Sequence, residues 1–104
     1  MIALAKVYEK FYIDARGIHA EGVVIENGFR VLAGSEVQNF EVPYLSAKVS
    51  QLRAQLLADG TIADWKLTRD VDFKSSSTAA YFLFGANASG PQTWKNADGI
   101  SMAK

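Results

Sequence analysis

The sequence predicts an α+β fold: an antiparallel β meander of hairpins packed with two helices in a single domain. Three observations carry this expectation. Runs of strand-forming residues in the first half are punctuated by glycine turns, Asn27-Gly28 foremost among them. After Pro43, apolar residues recur at helical period. After Asp70, a serine cluster opens a short run that is apolar nearly all round and stops at a glycine.

Taken in order, residues 1–10 alternate poorly and read as an N-terminal arm or edge strand, with the α+β domain running over residues 11–104. Phe11-Tyr12-Ile13 forms a strand, broken at Gly17 from a second strand over Ile18 to Ile25. A type I′ turn at Asn27-Gly28 returns the chain through Phe29 to Leu32, because that turn needs positive φ at both central positions. Gly34-Ser35 closes the hairpin, and a strand or irregular stretch covers Val37 to Phe40. Pro43 suits a first helical turn. Leu45, Val49, Leu52 and Leu56 then form one stripe, with Lys48, Gln51, Arg53 and Gln55 on the opposite side and Asp59-Gly60 as the stop. This reads as a core helix rather than one laid into a DNA groove, since a recognition helix carries more Arg, Lys and Asn.

Ile62 to Leu67 reads as a short strand carrying Trp65 as apolar bulk, and Asp70 to Phe73 as another extended piece. One of Ser75, Ser76 and Ser77 caps the next helix. Ala79, Ala80, Phe82, Leu83 and Phe84 bury it, and Gly85 ends it in the left-handed conformation. Ala86 to Thr93 is a loop. A tight turn at residues 96–99 sets Trp94-Lys95 and Ile100-Ser101 on facing segments.

The chain's 104 residues leave room for one domain with a self-sufficient core. It has no cysteine, which excludes disulfides and thiolate chemistry. No apolar run approaches the roughly 20 residues needed to span a bilayer. A cytoplasmic protein without membrane contact is the expectation. Eleven basic residues balance eleven acidic ones, so strong nonspecific attraction to phosphates is not expected, although a local basic patch is compatible with that balance.

His19, the sole histidine, has no cysteine or second histidine with which to hold a metal, and a Gly-x-Ser-x-Gly elbow is absent. Asp70 and Asp72 alternate at strand spacing and face one side, either as a solvated edge or as paired carboxylates. The serine cluster has two readings: an N-cap, or an anion site that adds hydroxyls to a helix N-terminus. Trp94 is either a core residue or a stacking surface for a base.

Ala20-Glu21-Gly22, the run Gly28 to Ser35, the run Leu52 to Gly60, Ser75-Ser76-Ser77-Thr78-Ala79-Ala80, Gly85, Trp94-Lys95 and Asp98-Gly99 together resemble a known family. It is the domain of unknown function (family 4357) found at the C-terminus of GIY-YIG-type nucleases. The second half is also similar to the RAMA module of restriction- and methylase-associated proteins. The resemblance implies a noncatalytic accessory domain that binds nucleic acid, DNA in particular, or a nuclease or methylase partner. It implies a shared surface that includes Ser75, Ser77, Gly90, Trp94 and Lys95.

The expected interface therefore comprises Lys74, Ser75, Ser77, Asn87, Gly90, Trp94 and Lys95. Hydroxyls and lysines contact phosphate and the indole stacks or wedges. No catalytic residue, cofactor or metal is expected. The alternatives are a protein-interaction module or homodimer built on exposed aromatics, and a hydrolase whose cleft brings His19 to a serine and a carboxylate.

Overall fold

The computed structural model of the protein describes residues 9–102. The expected arm over residues 1–10 therefore lies outside the described residues, except for Glu9 and Lys10. Strand β1 (Lys10–Ala15) turns through Arg16-Gly17 into β2 (Ile18–Ile25), which turns through Glu26-Asn27 into β3 (Gly28–Val31). Both residues of the first turn take positive φ, 53° and 82°, as a type I′ turn requires. In the second turn only Asn27 is left-handed, and Gly28 already pairs with Ile25. That turn therefore lies one residue earlier than Asn27-Gly28 predicts and is not type I′.

Helix α1 (Ala47–Ala58) buries Val49 and Leu56 and half-buries Leu52, as their spacing predicts. It begins after Ser46, so Pro43 precedes the helix instead of opening it. The single strand expected over Ile62 to Leu67 is a small hairpin, β4 (Ile62–Ala63) and β5 (Lys66–Leu67). Its turn holds Asp64 and Trp65 at φ 52° and 58°, an uncommon conformation for so bulky a residue. The Trp65 carbonyl there accepts from the Val37 N–H at 2.7 Å. Strand β6 (Val71–Phe73) then pairs antiparallel with β3 and completes a four-stranded sheet in the order β1-β2-β3-β6.

Helix α2 (Ser76–Phe84) packs on the inner face of this sheet. Ser75 is its N-cap, with Oγ accepting from the Thr78 N–H at 3.1 Å, and Gly85 ends it at φ 66°. One further turn of helix, α3 (Gly90–Thr93), occupies the stretch expected to be loop. The inner face collects Ile13, Ala20, Phe29, Val31 and Phe73 against Phe82 and Leu83 of α2. The Phe73 and Phe82 rings lie 5.0 Å apart. The outer face alternates with it. There Lys10, Val23, Arg30 and Asp72 share one cross-strand row, with Tyr12 opposite Glu21 and Asp14 opposite His19.

Arg53 departs most from expectation. Placed by period on the solvated side of α1, it is only 2% exposed. The chain leaving α2 and the segment over residues 38–42 leave backbone carbonyls inside the protein, and the guanidinium fork answers them. Nε donates to the Phe82 carbonyl and Nη1 to the Phe40 carbonyl, both at 2.9 Å, while Nη2 donates to the Gln38 carbonyl. Glu41 balances the charge at 3.1 Å. The same crossing segment donates the Gln38 N–H to the Leu83 carbonyl and the Val42 N–H to the Gly85 carbonyl. A Cβ on Gly85 would lie 2.0 Å from the Phe40 oxygen, so that residue must be glycine for steric reasons as well as for its φ.

Arg53→Met should lower unfolding free energy by about 2–3 kcal/mol, because it strands one buried and two part-buried carbonyls, a fully buried one costing about 1–3 kcal/mol. Urea denaturation followed by far-ultraviolet circular dichroism would measure this. On the outer face Arg30 grips Asp72 through two bonds of 2.7 and 3.1 Å, and this contact holds the Asp72 carboxyl below its ordinary value of 3.8. A depressed folded-state pKa adds stability above the ordinary value and loses it as pH falls through the folded one. Asp72→Asn should therefore cost about 0.5–1 kcal/mol near neutrality. The gap from the native chain should close only as pH drops below 3.8.

Candidate functional site

The residues expected to form one exterior ledge do not do so. Trp94 is fully buried, its ring 4.6 Å from Phe29 on the inner face and its Nε1 donating to the Ser76 carbonyl at 3.1 Å. It can neither stack on a base nor wedge between two. The reason is the extended backbone at residues 94–95: successive side chains point to opposite faces, so an exposed Lys95 obliges Trp94 to point inward. Lys95 and Tyr12 exchange both backbone bonds, at 2.6 and 3.0 Å, which places Lys95 beyond the β1 edge. Lys74 follows β6 at the other edge. Four interstrand gaps of about 4.8 Å set the two edges roughly 19 Å apart.

The remaining expected residues have local duties. Ser75 spends its hydroxyl on the α2 cap and on Thr78 Oγ1 at 3.1 Å. Gly90 presses against the first turn of α2 so closely that a Cβ would sit 2.3 Å from the Ser77 nitrogen. Gly90 thus lies against the Ser77 nitrogen while Ser75 takes the Thr78 N–H, so Ser75 serves as a cap. Ser77 is half-buried there. Asn87 is exposed, and its carbonyl accepts from Arg16 at 3.4 Å. Lys74 is also exposed and lines a separate groove of about 370 Å³ between α1, α2 and β6, with Lys48, Thr78 and Tyr81. Asp70 and Asp72 are not a free carboxylate pair, since Asp70 accepts from the Ala33 N–H at 2.8 Å and Asp72 holds Arg30.

What the structure does assemble is a pocket of about 460 Å³ where the outer face meets the segment over residues 93–99. Tyr12, Asp14, His19, Thr93, Lys95 and Asn96 line it. The Tyr12 and His19 rings lie 6.4 Å apart, tilted by 34°. Opposed residues in an antiparallel pair place their Cβ atoms about 4.5–5.5 Å apart, so the Lys95 ammonium stem rises beside the phenol. Asn96 builds the rim: its Oδ1 accepts from the Asp98 and Ile100 N–H groups at 2.9 and 3.0 Å, and its Nδ2 donates to Glu9 at 2.9 Å. The expected turn at residues 96–99 is present and brings Lys95 opposite Ser101.

Residues 11–104 match the domain of unknown function DUF4357. The chain belongs to that family. No curated protein and no solved structure matches the DUF4357 chain.

His19 and Glu21 of this DUF4357 domain approach to 3.5 Å, and Ser35 lines a small cavity with both. Ser35 Oγ, however, donates its proton to the Glu21 carbonyl and accepts from the Glu21 N–H. No hydrogen bond joins Ser35 to His19 among the described residues, so the three side chains do not form a nucleophile, base and acid in line. Among the described residues no three His, Cys, Asp or Glu side chains converge to hold a metal ion, and no helix is long and apolar enough to cross a membrane.

The pocket escaped sequence reasoning because it depends on the pairing of Tyr12 with Lys95, for which no local signal exists. The break at Gly17 was legible in the sequence, while the pairing of Asp14 with His19 follows from the turn that forms there. Gly90→Ala should destabilise the domain by about 1–3 kcal/mol, since backbone must yield to the new methyl. A lowered thermal midpoint with red-shifted tryptophan emission would be the sign that Trp94 has been loosened.

Proposed function

We propose that this domain is a noncatalytic module that binds DNA by taking one unstacked nucleotide into the Tyr12–His19–Lys95 pocket. The observation that carries the reading is the placement of an aromatic face and an unpaired ammonium side by side in a concave, part-apolar site. Its volume falls in the usual range for ligand pockets, about 300–1,000 Å³. The phenol of Tyr12 offers a stacking face for a base, and Lys95 offers one cation for the adjoining phosphate. Lys95 has no ion-pair partner among the described residues. The resemblance to nuclease-appended and methylase-associated domains supports the same reading. Catalysis then belongs to a nuclease or methylase partner, and this module supplies contact with the nucleic acid.

A protein-interaction or homodimerisation role is favoured by a different observation. Phe40 and Tyr44, 53% and 73% exposed, stand close in sequence, and Arg53 pins the Phe40 carbonyl. Exposed aromatics of this kind are typical anchors for a partner protein.

The nucleotide reading is tested by fluorescence anisotropy with labelled single-stranded, duplex and adenine-methylated DNA at low salt. Single strands should bind best. Tyr12→Ala should weaken binding about 5- to 150-fold, the equivalent of about 1–3 kcal/mol per stacked base. Tyr12→Phe should retain the native affinity. Lys95→Ala should reduce the slope of log affinity against log salt by about 0.7. Absence of binding to every oligonucleotide at low salt would overturn the reading.

A further inference from the structure

Resting on the nucleotide reading of the same pocket, we infer that Asp14 selects the base: cytosine or adenine, which carry an exocyclic amino group, over thymine, which carries a carbonyl there. Asp14 lies two residues along β1 from Tyr12, so both side chains leave the same face of the sheet. At a rise of about 3.4 Å per residue the two Cα atoms stand roughly 7 Å apart. A base lying on the phenol therefore presents its edge to the carboxylate.

Among the charged groups of the pocket Asp14 is the acceptor for that edge, and Asn96 does not compete with it. Asn96 has its side-chain oxygen committed to two backbone N–H groups and an amide hydrogen to Glu9. The cross-strand neighbour of Asp14 is His19, whose Nε2 is drawn 3.5 Å from Glu21. Asp14 itself is exposed, lines the pocket, and makes no side-chain hydrogen bond or ion pair among the described residues. An ionised carboxylate accepts hydrogen bonds and cannot donate one. It therefore rewards the N4 amino group of cytosine or the N6 amino group of adenine and repels the O4 carbonyl of thymine. Lys95, paired with Tyr12 across the β1 edge, handles the phosphate and carries no information about the base.

The test titrates the full chain with short labelled homopolymers of deoxycytidine, deoxyadenosine and deoxythymidine at low salt. The native chain should prefer the amino-bearing strands over thymidine by about tenfold or more, as expected for a hydrogen bond to a charged group. Asp14→Asn, which presents both a donor and an acceptor, should reduce the preference to within about twofold. The variant should bind thymidine at least as well as the native chain, because the repulsion of the thymine O4 carbonyl is gone. Its thermal midpoint should be unchanged, since no contact within the fold is lost.

Equal or tighter binding of thymidine by the native chain would overturn the assignment, as would a preference that survives Asp14→Asn. Either result leaves the nucleotide pocket itself standing. Failure of all three homopolymers to bind would remove the pocket reading and this one together.

Discussion

The arrangement depends on a single guanidinium. Arg53 reaches from α1 across the end of α2 and collects carbonyls from Phe82, Phe40 and Gln38, with Glu41 balancing its charge. A helix end presents orphan carbonyls that must find donors when buried. Here the donors come from Arg53 and from the backbone of residues 38–42. A planar fork with fixed directions serves several acceptors at once, which a lysine ammonium does less well. The interaction thereby fixes α2 along its own axis. With α2 in place, the Ser76 carbonyl stands where Trp94 Nε1 can reach it, and Gly90 can close over the first turn. Trp94 sealed inside obliges Lys95 to face out beside Tyr12. The pocket is thus the far end of a chain of contacts that begins at Arg53.

Local signals in the sequence specify much of this and miss its organising element. A cap within Ser75-Ser76-Ser77, the stop at Gly85 and the Leu45–Leu56 stripe were legible because caps and periodicity act within a few residues. Arg53 was not, because a charged residue on the polar side of a stripe ordinarily goes to water. Only the carbonyls of a distant segment make its burial favourable. Trp94 and Lys95 were read as one surface because they adjoin in sequence. Extended backbone separates adjacent side chains to opposite faces, so proximity along the chain argues against a shared ledge in any strand-like segment. The Glu26-Asn27 turn shows the same limit on a smaller scale. An Asn-Gly pair marks a turn reliably, while pairing with neighbours on both sides of the strand decides which two residues occupy it.

Charge decides how such a pocket can work. The outer face is laced with opposite charges: Lys10 beside Glu21, and Arg30 beside Asp72. These pairs cancel the field that would draw a polyanion from a distance, in keeping with a formal net charge of zero. The affinity that the proposed nucleotide reading calls for then has to come from close contact, from stacking and from groups that stay unpaired. Among the described residues lining the pocket, Lys95 and Asp14 are the charges with no such partner. One is suited to a phosphate and the other to a base edge. A weakly charged module of this kind makes a poor general DNA clamp. Under the proposed reading it would inspect a nucleotide already displaced from its stack, with a partner protein supplying the long-range attraction.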